Sequence, residues 1–248
     1  MAAVEQTDNS RQTSVVTWKG CTVTALAIVP ARGGSVGLPG KNLVSFQGRP
    51  LVAHTVYTAM TAGIADVVVT TDDTAIAAAA AAAGAQIVER PAYLAEPTSR
   101  TLPAVLHAID TLEVADSTLV LLLQPTSPLR TADDIAECLD IHADRPTGSV
   151  IQMCRAADHH PLKVCLETPD GGIAPVRDWS DLEAPRQTLP VVLRPTGGIY
   201  LVRAGDLRRH ERFFIPEVRP QFVPVERAID IDSAADLVLA EQRAATLR

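Results

Sequence analysis

The sequence predicts an α/β protein with a doubly wound, mostly parallel sheet and an arm inserted late in the chain. Three observations predict it. Short apolar runs rich in β-branched residues alternate with helical stretches over residues 22–143, the pattern of a parallel sheet covered by helices. Glycine- or proline-rich loops follow the ends of those runs, where ligands sit in such sheets. Between 155 and 192 the periodicity fades and Pro, Asp and His become frequent, which marks an insertion because long structureless loops are rare in compact domains.

Each element has its own signal. Residues 22–29 (TVTALAIV) read as the first strand, stopped by Pro30 and a glycine-rich loop. Residues 51–62 read as a helix and 66–71 (DVVVTT) as the second strand. Residues 74–83 are alanine-rich and therefore helical, with Gly84 as the stop. Residues 86–89 make a third strand and 101–112 a helix. Residues 118–123 (TLVLLL) are continuously apolar, as expected of a strand buried on both faces. A helix over 131–143 follows, with Thr131 as N-cap. The αβ pattern resumes near Gly197 and ends in a helix from Ser233 onward. The expected organisation is a mobile tail over 1–21, an α/β nucleotide-binding domain over 22–154 and 193–248, and an arm over 155–192 serving dimerisation or substrate binding.

Composition narrows the class. A net charge of −7 argues against a nucleic-acid binder, which wants a basic surface, but leaves room for a local basic pocket. No run of apolar residues is long enough for a membrane span, and the polar first residues lack a signal-peptide core, so a cytoplasmic protein is expected. Cys21, Cys138, Cys154 and Cys165 form no C-x-x-C pair and read as buried reduced thiols.

The first loop, ARGGSVGLPGKN (31–42), holds Gly33, Gly34, Gly37 and Gly40 between Arg32 and Lys41. Glycine lets backbone N–H groups approach phosphate oxygens, and the two cations add charge. A Walker A loop is excluded because Ser35 stands where it needs glycine, and no register supplies G-x-G-x-x-G, which excludes a dinucleotide fingerprint. The second strand ends in TTDD, where Asp72 and Asp73 suit a metal, a ribose or a helix cap, the cap being favoured for Asp73. The fourth strand ends in QPTSPLR, presenting the Gln124 amide, which both donates and accepts. Arg186 and Arg194 flank an apolar segment, and Lys163 follows His159 and His160; guanidinium groups pair with carboxylate or phosphate. In AIDID, Asp230 and Asp232 at i, i+2 leave an extended backbone on one face, a pair suited to Mg²⁺. Ser233 with Asp236 also reads as a capping box for the last helix.

Taken together, ARGGSVGLPGKN, TTDD, ERPAYLA, LLQPTSPLR, DHHPLK, APRQTLP, RPTGGIY and IDID, in this order, resemble the acylneuraminate cytidylyltransferases (CMP-sialic acid synthetases) of bacterial type, over about residues 25–241. The resemblance implies a Rossmann-like nucleotidyltransferase fold, CTP and an acidic keto sugar as substrates, Mg²⁺ (or Mn²⁺) as cofactor, and a homodimer whose arm reaches the partner's site. It assigns Arg32, Gly33, Gly34, Ser35, Lys41, Asn42, Arg90 and Thr101 to the nucleotide. It assigns Gln124, Lys163, Arg186, Arg194, Tyr200, Phe213 and Phe214 to the sugar, and Asp230 and Asp232 to the metal. Arg32, Lys41, Asp230 and Asp232 become the catalytic set.

Three positions depart from the family pattern: Val36 stands where Lys is usual, Pro97 where an acid is frequent, and Thr196 where Asn is common. The first is expected to weaken triphosphate binding or slow turnover. The rival readings are a cytidylyltransferase for another acid (legionaminate, pseudaminate, a deaminated sialic acid, an eight-carbon keto acid or another anionic metabolite) and a nucleotide-binding homologue without turnover.

Overall fold

A computed structural model describes the backbone of residues 15–18, 21–35, 37–156 and 160–247, and side chains from residue 24 onward. Val36, His159 and most of the expected tail over 1–21 therefore lie outside the described residues.

Eight strands form the main sheet. They are β1 (Val15–Trp18), β2 (Cys21–Pro30), β3 (Asp66–Thr71), β4 (Gln86–Glu89), β5 (Leu119–Leu122), β6 (Val150–Arg155), β7 (Leu193–Arg203) and β8 (Arg219–Phe222). The order is β8-β6-β7-β5-β2-β3-β4, with β1 paired to the start of β2. β7 runs antiparallel to both neighbours, and the remaining pairs along that order are parallel. Six helices accompany the sheet: α1 (Leu51–Thr61), α2 (Thr74–Ala82), α3 (Thr101–Thr111), α4 (Ala132–Asp144), α6 (Ala204–His210) and α7 (Ala234–Thr246). A short α5 (Trp179–Glu183) lies in the expected arm.

Period-two alternation divides the core between the two sheet faces. Ala25, Ala27, Val29, Val67, Val69, Leu119 and Leu121 meet α1, α2 and α4 on one face. Leu26, Ile28, Val68, Val120 and Leu122 meet α3 and α6 on the other. A Leu or Ile truncated to Ala here costs about 2–5 kcal/mol, because the rigid sheet cannot close the cavity. The caps are as read: Asp73 accepts from the amides of Ala75 and Ile76, and Thr131–Asp134 and Ser233–Asp236 form reciprocal capping boxes.

Segment 160–192 joins β6 to β7 and adds no strand to the main sheet. It holds a two-stranded ribbon, Cys165–Glu167 with Ile173–Pro175, and α5. Asp181 is its one buried residue, while Leu166, Ile173 and Trp179 are more than half exposed. Cys138 and Cys154 are buried as expected, but Cys165 is exposed on the ribbon, a correction to the reading of the cysteines as buried thiols.

Candidate functional site

From β2 the chain winds outward through β3 and β4, then returns to place β5 on the other side of β2. The loops after β2 and β5 therefore diverge and leave a crevice at the carboxyl ends of the strands. A cavity of about 380 Å³ opens there. Arg32, Lys41, Arg90 and Arg100 line it against Asp230 and Asp232, an excess of two positive charges inside a chain of net −7. Such a focused field draws a polyanion.

Loop 31–42 is built by its own residues. The Asn42 side chain donates to the Arg32 carbonyl (2.9 Å), folding the loop back on itself. The Gly33 amide donates to Asp72 (3.0 Å), so Asp72 holds the loop while Asp73 caps α2. Gly37 lies so close to Asp232 that an added Cβ would stand 2.5 Å from that residue's carbonyl oxygen. Lys41 Nζ completes the junction with a 2.8 Å ion pair to Asp232. Arg32 reaches across to the carbonyls of Glu96 (2.6 Å) and Pro97 (3.0 Å). Arg90 is buried and donates to the Thr70 carbonyl (2.7 Å). Burial lowers its pKa to about 10, against the opposing pull of Asp72, so it stays a cation at neutral pH.

On the opposite wall, Ile229 and Ile231 turn into the core while Asp230 and Asp232 face the cavity. This is the i, i+2 placement read from the sequence. Asp230 is open to solvent on its cavity side, and the surrounding walls desolvate it enough to raise its pKa above the ordinary 3.8, partly offset by a hydrogen bond from Thr126, with Asp232 adding to the rise. Gln124 lines the same cavity at the end of β5. Its loop is fastened from below by Arg130, a buried guanidinium whose Nη1 donates to the carbonyls of Gln124 (3.2 Å) and Gly198 (2.6 Å). Asp134 grips Arg227 through two bonds (2.7 and 2.9 Å), which fixes the turn leading into Asp230.

The cavity thus brings together Arg32, Ser35, Lys41, Asn42, Arg90, Thr101, Gln124, Asp230 and Asp232 of the expected set. Gly33 and Gly34 are in the same loop. Arg194 donates to the Ala228 carbonyl (2.8 Å) and lines an adjoining hollow of about 500 Å³ that shares Asp230. Tyr200, Phe213 and Phe214 form one aromatic cluster with ring centroids 5.5 and 6.1 Å from Tyr200; burial and the Asp230 charge raise the Tyr200 pKa. Lys163 and Arg186 do not line this cavity. Lys163 Nζ donates to the Leu182 carbonyl (2.6 Å) and to the Ala184 carbonyl within the 160–192 segment. Thr196 is buried and turned toward Gln152.

Sequence reading missed Arg100, Ser99 and Thr126, which also line the cavity. Arg100 is the N-cap residue of α3 and makes no side-chain cap, so its guanidinium stands at a helix N-terminus, a combination favourable to anions. No residue pattern in the sequence singles these three out.

A sequence profile for the family described as cytidylyltransferase matches residues 26–170. CMP-N,N'-diacetyllegionaminic acid synthase of Legionella pneumophila is 31% identical over 222 residues, 88% of this chain and 94% of the relative. N-acylneuraminate cytidylyltransferase of Streptococcus agalactiae is 27% identical over 86% of this chain, which spans 51% of that relative's length. Among solved structures, CMP:2-keto-3-deoxy-manno-octonic acid synthetase complexed with CTP superposes with a TM-score of 0.65 at 19% identity. That match covers 90% of this chain and 98% of the other and establishes the shared fold.

Proposed function

Since the chain belongs to the cytidylyltransferase family, we propose that it transfers CMP from CTP to the anomeric hydroxyl of an acidic keto sugar and releases pyrophosphate. The observation that carries this reading is the meeting, at one switch point, of a glycine-rich basic loop, a glutamine amide and a pair of aspartates. The names of the relatives favour an acid of the N-acylneuraminate or diacetyllegionaminate kind.

In this reading the acceptor hydroxyl attacks the α-phosphorus in line with the departing pyrophosphate. The protein positions the reactants and neutralises charge. Arg32, Lys41 and Arg90 serve the phosphates, with the amides of Gly33, Gly34 and Ser35, while Asn42 keeps the loop in shape. Thr101, at the start of α3, adds its amide. Gln124 meets the sugar, and Tyr200, Phe213 and Phe214 shape its pocket, with Arg194 beside Asp230 for its carboxylate. Lys41 leaves Asp232 for phosphate when the nucleotide arrives, which frees the aspartate.

Asp230 and Asp232 fit Mg²⁺, which binds one or two carboxylates and takes its other ligands from phosphate and water. Among the described residues no group of three or more His, Cys, Asp or Glu forms a closed metal cage, in keeping with a metal shared with substrate. Bound there, the ion would neutralise phosphate charge. A homodimer is the second part of the proposal. Leu166, Ile173, Val176 and Trp179 are each exposed on the 160–192 segment, apolar side chains that a partner surface would cover. Lys163 and Arg186 would then serve the partner's acceptor site.

The test is pyrophosphate release with each of the four nucleoside triphosphates, Mg²⁺, and either N-acetylneuraminate or N,N'-diacetyllegionaminate. Release is expected with CTP and one of the acids together. Equal release without acid, or with every triphosphate, overturns the proposal. CTP binding with no release under any combination supports a homologue without turnover.

A further inference from the structure

The pairing of β7 with β6 is interrupted where β7 passes under the cavity. Pro195 faces Met153 and Tyr200 faces Ile151, so five steps along β7 correspond to two along β6. Residues 196–199 lie opposite Gln152 alone and form a bulge, a device that redirects a strand beside functional sites. Two glycines give it its shape, and a glutamine presses on each. Gly197 has φ +81°, and an added Cβ there would stand 2.5 Å from Gln124 Oε1. At Gly198 an added Cβ would stand 1.9 Å from Gln152 Oε1. The bulge is therefore clasped between the amide that faces the cavity and a second amide behind it.

Hydrogen bonds lock this stack. Thr196 Oγ1 donates to Gln152 Oε1 (2.6 Å) and accepts from the Gly198 amide (3.1 Å). Ser127 Oγ, from the Gln124 loop, donates to the Thr196 carbonyl (3.0 Å). Thr196 and Gln152 are both buried, at 3% and 4% exposure, and neither lines the cavity. They reach the site through the bulge, on which the Gln124 side chain rests and which Ser127 and Arg130 tie to the Gln124 loop.

We propose that Thr196 and Gln152 are positioning residues that hold Gly197 beneath the Gln124 amide and so set selectivity for the acceptor acid without touching it. This rests on the reading that Gln124 contacts the acceptor. The amide donates and accepts at once, so its hydrogen-bond pattern follows its orientation, and the bulge fixes that orientation. The nucleotide side of the cavity, built from residues 31–42 and Arg90, shares none of these bonds.

The experiment is steady-state pyrophosphate release in the full chain, with KM measured separately for CTP and for each acid of a panel. The variants are Thr196→Val, Thr196→Ser, Gln152→Leu and Gln124→Ala, with the double variant Thr196→Val/Gln124→Ala. Thr196→Val and Gln152→Leu are expected to raise acceptor KM about tenfold and change the ratios between acids, as loss of one orienting bond does. CTP KM should stay within about twofold, and Thr196→Ser, which keeps the hydroxyl, should restore the wild-type ratios. In the double variant the Thr196 effect should vanish, because it acts through Gln124. Equal changes in both KM values, failure of Ser to rescue, or additivity in the double variant each overturns the proposal. If Gln124→Ala leaves acceptor KM unchanged, the acceptor role of Gln124 falls, and this inference with it. An effect of Gln124→Ala with none at Thr196 or Gln152 overturns the inference alone.

Discussion

The cavity walls and the 160–192 segment differ in how they are held. The walls are tied across the chain: Lys41 to Asp232, Arg130 to Gly198, Asp134 to Arg227, Ser127 to Thr196. Each link joins elements far apart in sequence, and several are buried. The segment between β6 and β7 is tied mostly to itself, by Lys163 to Leu182 and Ala184, Arg177 to Asp181, and the ribbon at Cys165–Glu167. It turns Leu166, Ile173 and Trp179 to solvent. Long-range buried ties fix geometry to the tolerance that group transfer needs. Local ties keep the segment's own shape and leave several of its apolar side chains exposed.

The largest effect expected from this contrast is at Asp230. Asp230→Asn should lower kcat about 10²- to 10³-fold, the scale of losing one charge-stabilising group, while the thermal midpoint holds. Protons and Mg²⁺ compete for the same carboxylate, so the Mg²⁺ concentration giving half-maximal rate should rise as pH falls in the wild type, and Asn should weaken that dependence. Full activity in Asp230→Asn breaks the assignment.

Next comes Asp134→Asn, which leaves Arg227 without its carboxylate partner. Removing one member of a buried pair costs about 3 kcal/mol, read as a lower denaturant midpoint, and the turn before Asp230 should loosen with it. An unchanged midpoint would mean that the long-range ties do not carry the walls.

On the other side of the contrast, Ile173→Asp places a charge on the exposed apolar face. It should weaken self-association about a hundredfold by desolvation of an unpaired charge, seen by sedimentation as a shift toward one copy, with circular dichroism unchanged. A wild-type chain that already sediments as one copy breaks the contrast outright.

A pH-dependent effect belongs to His142, buried at the end of α4. Burial, then Arg203 and Arg219, lowers its pKa from 6.5 to about 4. A depressed native pKa contributes stability that is present above pH 6.5 and is lost as pH falls through about 4. His142→Gln should flatten the denaturant midpoint over that window. An unchanged slope would place the acid sensitivity elsewhere.

Much of this was legible in the sequence, for physical reasons. β2, β3 and β5 are covered on both faces, so each carries an unbroken apolar run, ALAIV, VVV and LVLL. Ile229 and Ile231 alternate with Asp230 and Asp232 because the core takes one face and the cavity the other. β6 and β8 escaped notice because VIQMCR and RPQF mix polar and apolar residues; Gln152 and Gln221 are buried polar groups that blur the alternation. α6 (AGDLRRH) is too short to show a period. At the site, loop 31–42, Gln124 and the aspartates carry distinctive residue patterns. Arg100 and Thr126 do not, and they gain meaning only when α3 and the aspartate loop converge on the same cavity.

The distance in sequence between Lys41 and Asp232, 191 residues, has a consequence for how the protein is made. A ribosome delivers the glycine-rich loop well before the acidic wall. Domains emerge and fold from the N-terminal side, yet the walls of this cavity cannot close until the stretch before α7 has left the exit tunnel. A nascent chain therefore draws no stability from a ligand that needs both walls, and the sheet must stand on its own packing until that stretch has emerged.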